Sequence, residues 1–108
     1  MGVLFQIIDP LQRNIVCTDE CWKEHVLSQR SWMEFWVDDV KLALENPAYI
    51  CSAADNDKRE VYYYIPAPMG KYLRVVVQFD DEKGEVITAY PTDSGKPGET
   101  MIWPTSSN

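Results

Sequence analysis

The chain has 108 residues, of which 45% are hydrophobic and 12% aromatic. That is the length of one domain and too apolar a composition for a disordered chain. Ten Lys and Arg against seventeen Asp and Glu leave a net charge of −7, which excludes a broad phosphate-coating surface, because phosphate affinity comes from clustered cations, but leaves room for one small basic pocket.

Val3 to Ile8 is a β-rich run stopped by Asp9-Pro10, and Ile15-Val16-Cys17 follows Gln12-Arg13-Asn14. Two apolar runs around a Pro/Asn turn predict a hairpin. Thr18 is the expected N-cap of a first helix, with Asp19 and Glu20 where the helix dipole favours negative charge. Trp22, His25 and Val26, at i, i+3 and i+4, predict one inward face ending near Ser28. Met33, Trp36, Val37, Val40 and Leu44 repeat at helical spacing and predict a second, core-packing helix that Asn46-Pro47 ends.

From Tyr49 the period shortens. Tyr49–Ser52 and Glu60–Ile65 read as strands separated by a turn at 55–58, and 66–70 reads as a loop. Tyr72–Phe79 alternates Leu73, Val75 and Val77 with Arg74, Val76 and Gln78, and 80–84 is a charged turn. Glu85–Tyr90 returns as a strand, and the Gly/Pro-rich tail reads as a loop as far as Met101-Ile102-Trp103. Strands segregated from helices predict an α+β domain spanning residues 1–108. No run approaches the roughly 18 apolar residues of a membrane-spanning helix. The N-terminus lacks a signal-peptide pattern, and position 6 is Gln where a myristoylation signal carries Ser or Thr. The expectation is a cytoplasmic protein that engages no membrane, with Cys17, Cys21 and Cys51 as reduced thiols.

Three groupings carry possible chemistry. Cys17, Cys21 and His25, spaced by four, with Cys51 as a fourth ligand, would suit zinc. That spacing matches no closed zinc pattern, and buried thiols are the plainer reading, so no metal and no cofactor is expected. His25, the sole histidine, is the residue type that most often serves as general acid or base; otherwise it is a half-buried helix residue. Lys71, Arg74, Thr88 and Lys96 place cations beside a hydroxyl, as phosphate chemistry requires, although Lys, Arg and Thr also serve simply as strand-surface residues. Tyr62-Tyr63-Tyr64 offers at most two rings for base stacking, because strand faces alternate. Gly-rich phosphate loops, His-Glu-x-x-His and nucleophile elbows do not occur.

Taken together, Thr18-Asp19-Glu20, Trp22, His25, Asn46-Pro47, Tyr62-Tyr63, Leu73 to Val77, Val86 to Thr92, Lys96-Pro97-Gly98 and Trp103 resemble the phage-associated branch of the barnase–EndoU–colicin–RelE-like (BECR) nucleases. The resemblance runs from about residue 3 to 103. It implies an N-terminal β-hairpin and two helices packed on a four-stranded antiparallel sheet, with the site on the open sheet face. It also implies a small metal-independent ribonuclease, a phage-associated enzyme or the toxin of a toxin–antitoxin pair, in which the RNA 2′-OH attacks its own phosphate. By the same resemblance His25, Arg74 and Thr88 would be catalytic, and Lys71, Tyr90 and Lys96 would bind the RNA substrate. A cognate antitoxin or inhibitor protein would be a further partner. The charge of −7 and the absence of a second histidine, where the chain reads Gln29-Arg30-Ser31-Trp32, keep open a catalytically inactive binding module that engages a protein partner.

Overall fold

Along Val3–Ile8 (β1) the side chains of Phe5 and Ile7 are covered while Gln6 and Ile8 are exposed, the two-residue alternation of a strand with one face on a core. The structure is a computed structural model and describes residues 2–54, 56–65, 71–93 and 95–104. The loop expected over 66–70, and position 55 of the expected turn, lie outside the described residues. The hairpin predicted from Asp9-Pro10 forms between β1 and Asn14–Thr18 (β2). Asp9 organises its turn: its Oδ1 accepts the N–H groups of Leu11 and Arg13 at 3.0 and 2.8 Å. Its Oδ2 accepts the Tyr62 hydroxyl at 2.6 Å, and the Arg13 guanidinium goes on to Glu60 and lies 4.1 Å over the Phe79 ring. The buried Asp9 carboxylate thereby ties the hairpin turn to the middle of the chain, with its charge fully compensated.

Thr18 caps as expected, its Oγ1 accepting the Cys21 N–H at 3.1 Å. The helix that follows is short: Asp19–Cys21 (α1) winds on as a π-helix over Trp22–Leu27, closed by a bond from Ser28 N–H to the Lys23 carbonyl at 3.0 Å. The second helix begins as a 3-10 turn, Ser31–Trp36, and becomes α-helical over Val37–Glu45 (α2). Met33, Val40 and Leu44 are fully buried on the inward stripe the spacing predicts, with Ala43 beside them.

The remaining strands are Tyr49–Ser52 (β3), Arg59–Tyr64 (β4), Tyr72–Asp80 (β5), Lys83–Thr92 (β6) and Thr100–Trp103 (β7). They join the hairpin in one sheet of order β1-β2-β6-β5-β4-β3-β7. This corrects the expected architecture. In place of a four-stranded antiparallel sheet with two helices packed on it, the described residues form a seven-stranded mixed sheet with two short helices. The hairpin is not a separate appendage, because Ile15 and Cys17 need covering. β2 pairs in parallel with the start of β6, Asn14 opposite Lys83 and Val16 opposite Glu85, and the side chains of Ile15 and Cys17 are fully buried. Gly84 permits the approach, since a Cβ there would sit 2.8 Å from the side chains of Phe79 and Val77. At the other edge the tail becomes β7, because Ile102 and Trp103 pack partly against the core.

The main core lies on the face covered by α2, where Ile50, Tyr62, Leu73, Val75 and Val77 meet Val40 and Leu44. A smaller cluster of Cys51, Val61, Tyr63 and Val76 lies on the opposite face. This second face is not bare. The connection from β6 to β7 must pass β5, β4 and β3, and Glu99 accepts the Tyr63 hydroxyl on the way. The alternation read in Tyr72–Phe79 is therefore real, yet its polar face is as hidden as its apolar one at Arg74, 6% exposed.

Candidate functional site

β2 accompanies β6 only as far as Glu85, which leaves the following stretch of the β6 edge in need of hydrogen-bond partners. The α1–π segment lies along it there instead. The Cys21 thiol donates to the Val86 carbonyl at 2.8 Å, and the Thr88 hydroxyl donates to the His25 carbonyl at 3.1 Å. β6 has a bulge here, opposite Val76 and Val77, and such irregularities re-aim side chains. The π winding has a similar effect on the helical side: Trp22 and Val26 are buried, while His25, expected on their face, is exposed. The extra residue per turn moves His25 out of the inward stripe and brings it to the sheet edge.

His25, Gln29 and Arg30 form one wall of an open depression of about 360 Å³, and Ile87, Thr88 and Tyr90 of β6 form the other. The Arg30 guanidinium lies 5.1 Å over the Tyr90 ring, a cation–π contact that holds a charge in place without neutralising it. Arg30 has no carboxylate partner among the described residues. On the other side of Tyr90 and Thr88 lies a second depression of about 510 Å³, which Arg74, Lys96 and Glu99 help to line.

Arg74 itself is differently employed. Its guanidinium meets Glu99 at 2.5 Å, donates through Nε to the Tyr63 hydroxyl at 3.2 Å, and through Nη1 to the Tyr90 hydroxyl at 2.6 Å. Tyr63 in turn donates to Glu99 Oε1. Burial acts against the Arg74 charge, but the bonds to Glu99 and Tyr63 raise its pKa above the ordinary value. Burial also works against the Glu99 carboxylate, yet the hydrogen bonds from Tyr63 and Arg74 prevail and hold it below its usual range. Burial and the bond to Glu99 push the Tyr63 phenol up. The group is a closed clamp that fastens the β6–β7 connection to the sheet.

Of the six residues expected at the site, His25, Thr88 and Tyr90 share one depression. Arg74 and Lys96 adjoin the second, with Arg74 committed to the clamp and Lys96 exposed. Lys71 stands apart, paired with Asp93 at 3.3 Å beside Ile65 and Tyr72. Thr88 spends its hydroxyl proton on the His25 main chain, so it positions the histidine turn. Tyr62 and Tyr63 are fully buried on opposite faces and Tyr64 packs on the main core, which removes the base-stacking platform. The zinc grouping does not assemble either. Cys17 lies in the main core and Cys51 in the cluster on the other face, and no group of three or more His, Cys, Asp or Glu able to hold a metal ion occurs among the described residues. Burial raises the Cys17 thiol to about 12 and pushes Cys21 up as well, so neither thiol is poised as a nucleophile beside His25.

Sequence reasoning missed Arg30 and Glu99. Arg30 follows a helical segment whose winding the spacing did not show, and Glu99 lies in a Gly/Pro loop twenty-five residues from the arginine it neutralises. A carboxylate in the loop leading to a terminal strand was the one available signal. No helix among the described residues is long and apolar enough to cross a membrane. Compared with protein families, curated proteins and solved structures, the chain matches none.

Proposed function

We propose that the chain is a small metal-independent ribonuclease that works in the depression between His25, Arg30, Thr88 and Tyr90. One observation carries the reading. Residues expected to act together from separate parts of the sequence, His25 and the Thr88–Tyr90 stretch, are joined by the bond from the Thr88 hydroxyl to the His25 carbonyl and face a cation that pairs with no carboxylate among the described residues.

In this reaction the RNA 2′-oxygen forms a bond to the adjacent phosphorus and the bond to the 5′-oxygen breaks. A 2′,3′-cyclic phosphate and a free 5′-hydroxyl result. His25, exposed at the rim, takes the 2′-OH proton. Arg30 offsets the charge that develops on the phosphoryl oxygens, a role its fixed position over Tyr90 suits. The Tyr90 hydroxyl accepts from Arg74 and has no acceptor for its own proton among the described residues, so it is the donor for the leaving oxygen. Arg74 acts through Tyr90 and is a positioning residue. The net charge of −7 disfavours RNA over a broad surface and favours a small cationic spot such as this one.

The test is cleavage of a labelled RNA by the purified chain in the presence of a chelator. His25→Ala and Arg30→Ala should each lower the rate by roughly a hundredfold or more while leaving the fold intact. RNA that stays whole with the unaltered chain refutes the reading. A second reading, a non-catalytic module that engages a basic protein such as an antitoxin, is favoured by the neutralisation of Arg74 by Glu99 within an acidic chain. It requires intact RNA together with a stoichiometric protein partner from the native host.

A further inference from the structure

β1 is the outermost strand of the sheet, and no backbone hydrogen bond from another element reaches its outer side among the described residues. Edge strands are usually short or guarded by Lys, Pro or an inward charge. The opposite edge, β7, follows that practice with four residues. β1 does not. Val3-Leu4-Phe5-Gln6-Ile7-Ile8 contains neither a charge nor a proline. Of the large apolar side chains that remain exposed, Val3 and Ile8 belong to this strand and Leu11 to its turn, and Leu42 belongs to the helix packed against it.

The ladder with β2 decides which groups face outward. Asp9 N–H donates to the Arg13 carbonyl at 3.0 Å. In an antiparallel pair, hydrogen-bonded positions alternate, so Ile7–Ile15 and Phe5–Cys17 are the bonded pairs of the same register. The main-chain groups of Gln6 and Ile8 therefore point away from β2. A second strand can take them up only in a register that keeps the buried and exposed faces aligned. For two antiparallel copies of β1 related by a two-fold axis, that register sets exposed Gln6 opposite Gln6 and buried Phe5 opposite Ile7, within the regular part of the strand beyond the bulge between Val3 and Phe5. The strand is its own complement, as an isologous contact demands. Charge points the same way: two copies each carrying −7 repel over most orientations, and a strand without charges is where they can approach at least cost.

We propose that the chain forms a two-fold dimer through β1, antiparallel, joining two seven-stranded sheets into one, with Gln6 on the axis. The contact sets Ile8, exposed in the single chain, beside the strand of the second copy and leaves the His25–Arg30 depression, which lies beyond the end of the β2–β6 pairing, open in both copies.

Sedimentation velocity of the full chain over a range of concentrations tests this. Wild type is expected to show a concentration-dependent dimer of two chains. Gln6 is exposed and its side chain makes one exposed bond, to Asn14, so Gln6→Lys preserves the fold and places two like charges on the axis. Gln6→Pro removes an outward N–H and no ladder bond. Each should weaken the dimer by roughly tenfold or more, with circular dichroism unchanged. Met101→Lys, on the β7 edge, should leave it intact. A chain that is monomeric at every concentration overturns the proposal. So does a dimer that Gln6→Lys and Gln6→Pro leave unaltered, or one that Met101→Lys dissociates. A chain that associates only with a different protein added to it overturns it as well.

Discussion

Replacing Arg74 by methionine separates the two roles an arginine in this strand can have. In the structure its side chain is 8% exposed and that of Glu99 is 5% exposed. Removing the guanidinium leaves the Glu99 carboxylate buried with only the Tyr63 hydroxyl and the distant Lys96 N–H, at 3.4 Å, as donors. It also takes a donor from Tyr63 and another from Tyr90. Breaking a buried ion pair from one side costs about 3–5 kcal/mol, a large share of the ~5–15 kcal/mol that holds a domain of this size folded. With about 4–8 °C per kcal/mol for a domain near 100 residues, the melting temperature should fall by roughly 12–40 °C. The double variant Arg74→Met with Glu99→Gln removes both charges and should recover much of that loss, because the penalty resides in the orphaned carboxylate. Urea and thermal denaturation followed by circular dichroism give the three values. If Arg74→Met melts within about 2 °C of wild type, or if the double variant is as unstable as the sum of the singles, Arg74 is not the clamp described above.

Acid should act on the same clamp. The folded pKa of Glu99 is depressed, so its stabilisation is fully present above the ordinary carboxylate value of 4.5 and disappears as pH falls through the lower folded value. Stability measured from pH 7 downward should therefore drop more steeply in wild type than in Glu99→Gln below about pH 4.5. Gly84→Ala would press a methyl group to 2.8 Å from Phe79 and Val77 and should cost about 1–3 kcal/mol by denaturant titration. Tyr62→Phe removes a 2.6 Å bond to Asp9 while Arg13 and two backbone N–H groups remain on that carboxylate, so a loss near 1 kcal/mol is expected. Thr88→Ala frees the His25 carbonyl and should lower RNA cleavage less than His25→Ala does, with little change in melting temperature.

Local rules carried much of the fold. Thr18 at a strand end with Asp and Glu after it reads as a cap because its hydroxyl has an N–H to accept, and it does so in the structure. The stripe from Met33 to Leu44 and the alternation from Leu73 to Val77 mark the core because burial of apolar side chains selects those periods. What escaped was set by contacts distant in sequence. Nothing in Asn14–Val16 states that it pairs in parallel with Lys83–Glu85; that pairing follows from the need to cover Ile15 and Cys17. The same need for cover turned Met101–Trp103 into the seventh strand. At the site, His25 and Thr88 were legible as residue types suited to phosphate chemistry and Tyr90 only through the resemblance, and the three line one depression. Arg74 was legible as a cation but not as a neutralised one, because its carboxylate arrives on a loop. Arg30 became visible only once the π winding placed it over Tyr90.

In the proposed reaction the cation of the site is Arg30 and its proton carrier is His25. Cleavage of a labelled RNA in chelator by wild type, His25→Ala and Arg30→Ala, each first shown to melt like wild type, measures it directly. Wild type should cut to cyclic-phosphate ends, and each variant should lose roughly a hundredfold or more of that activity. Intact RNA with wild type, or undiminished cutting by both variants, would contradict it.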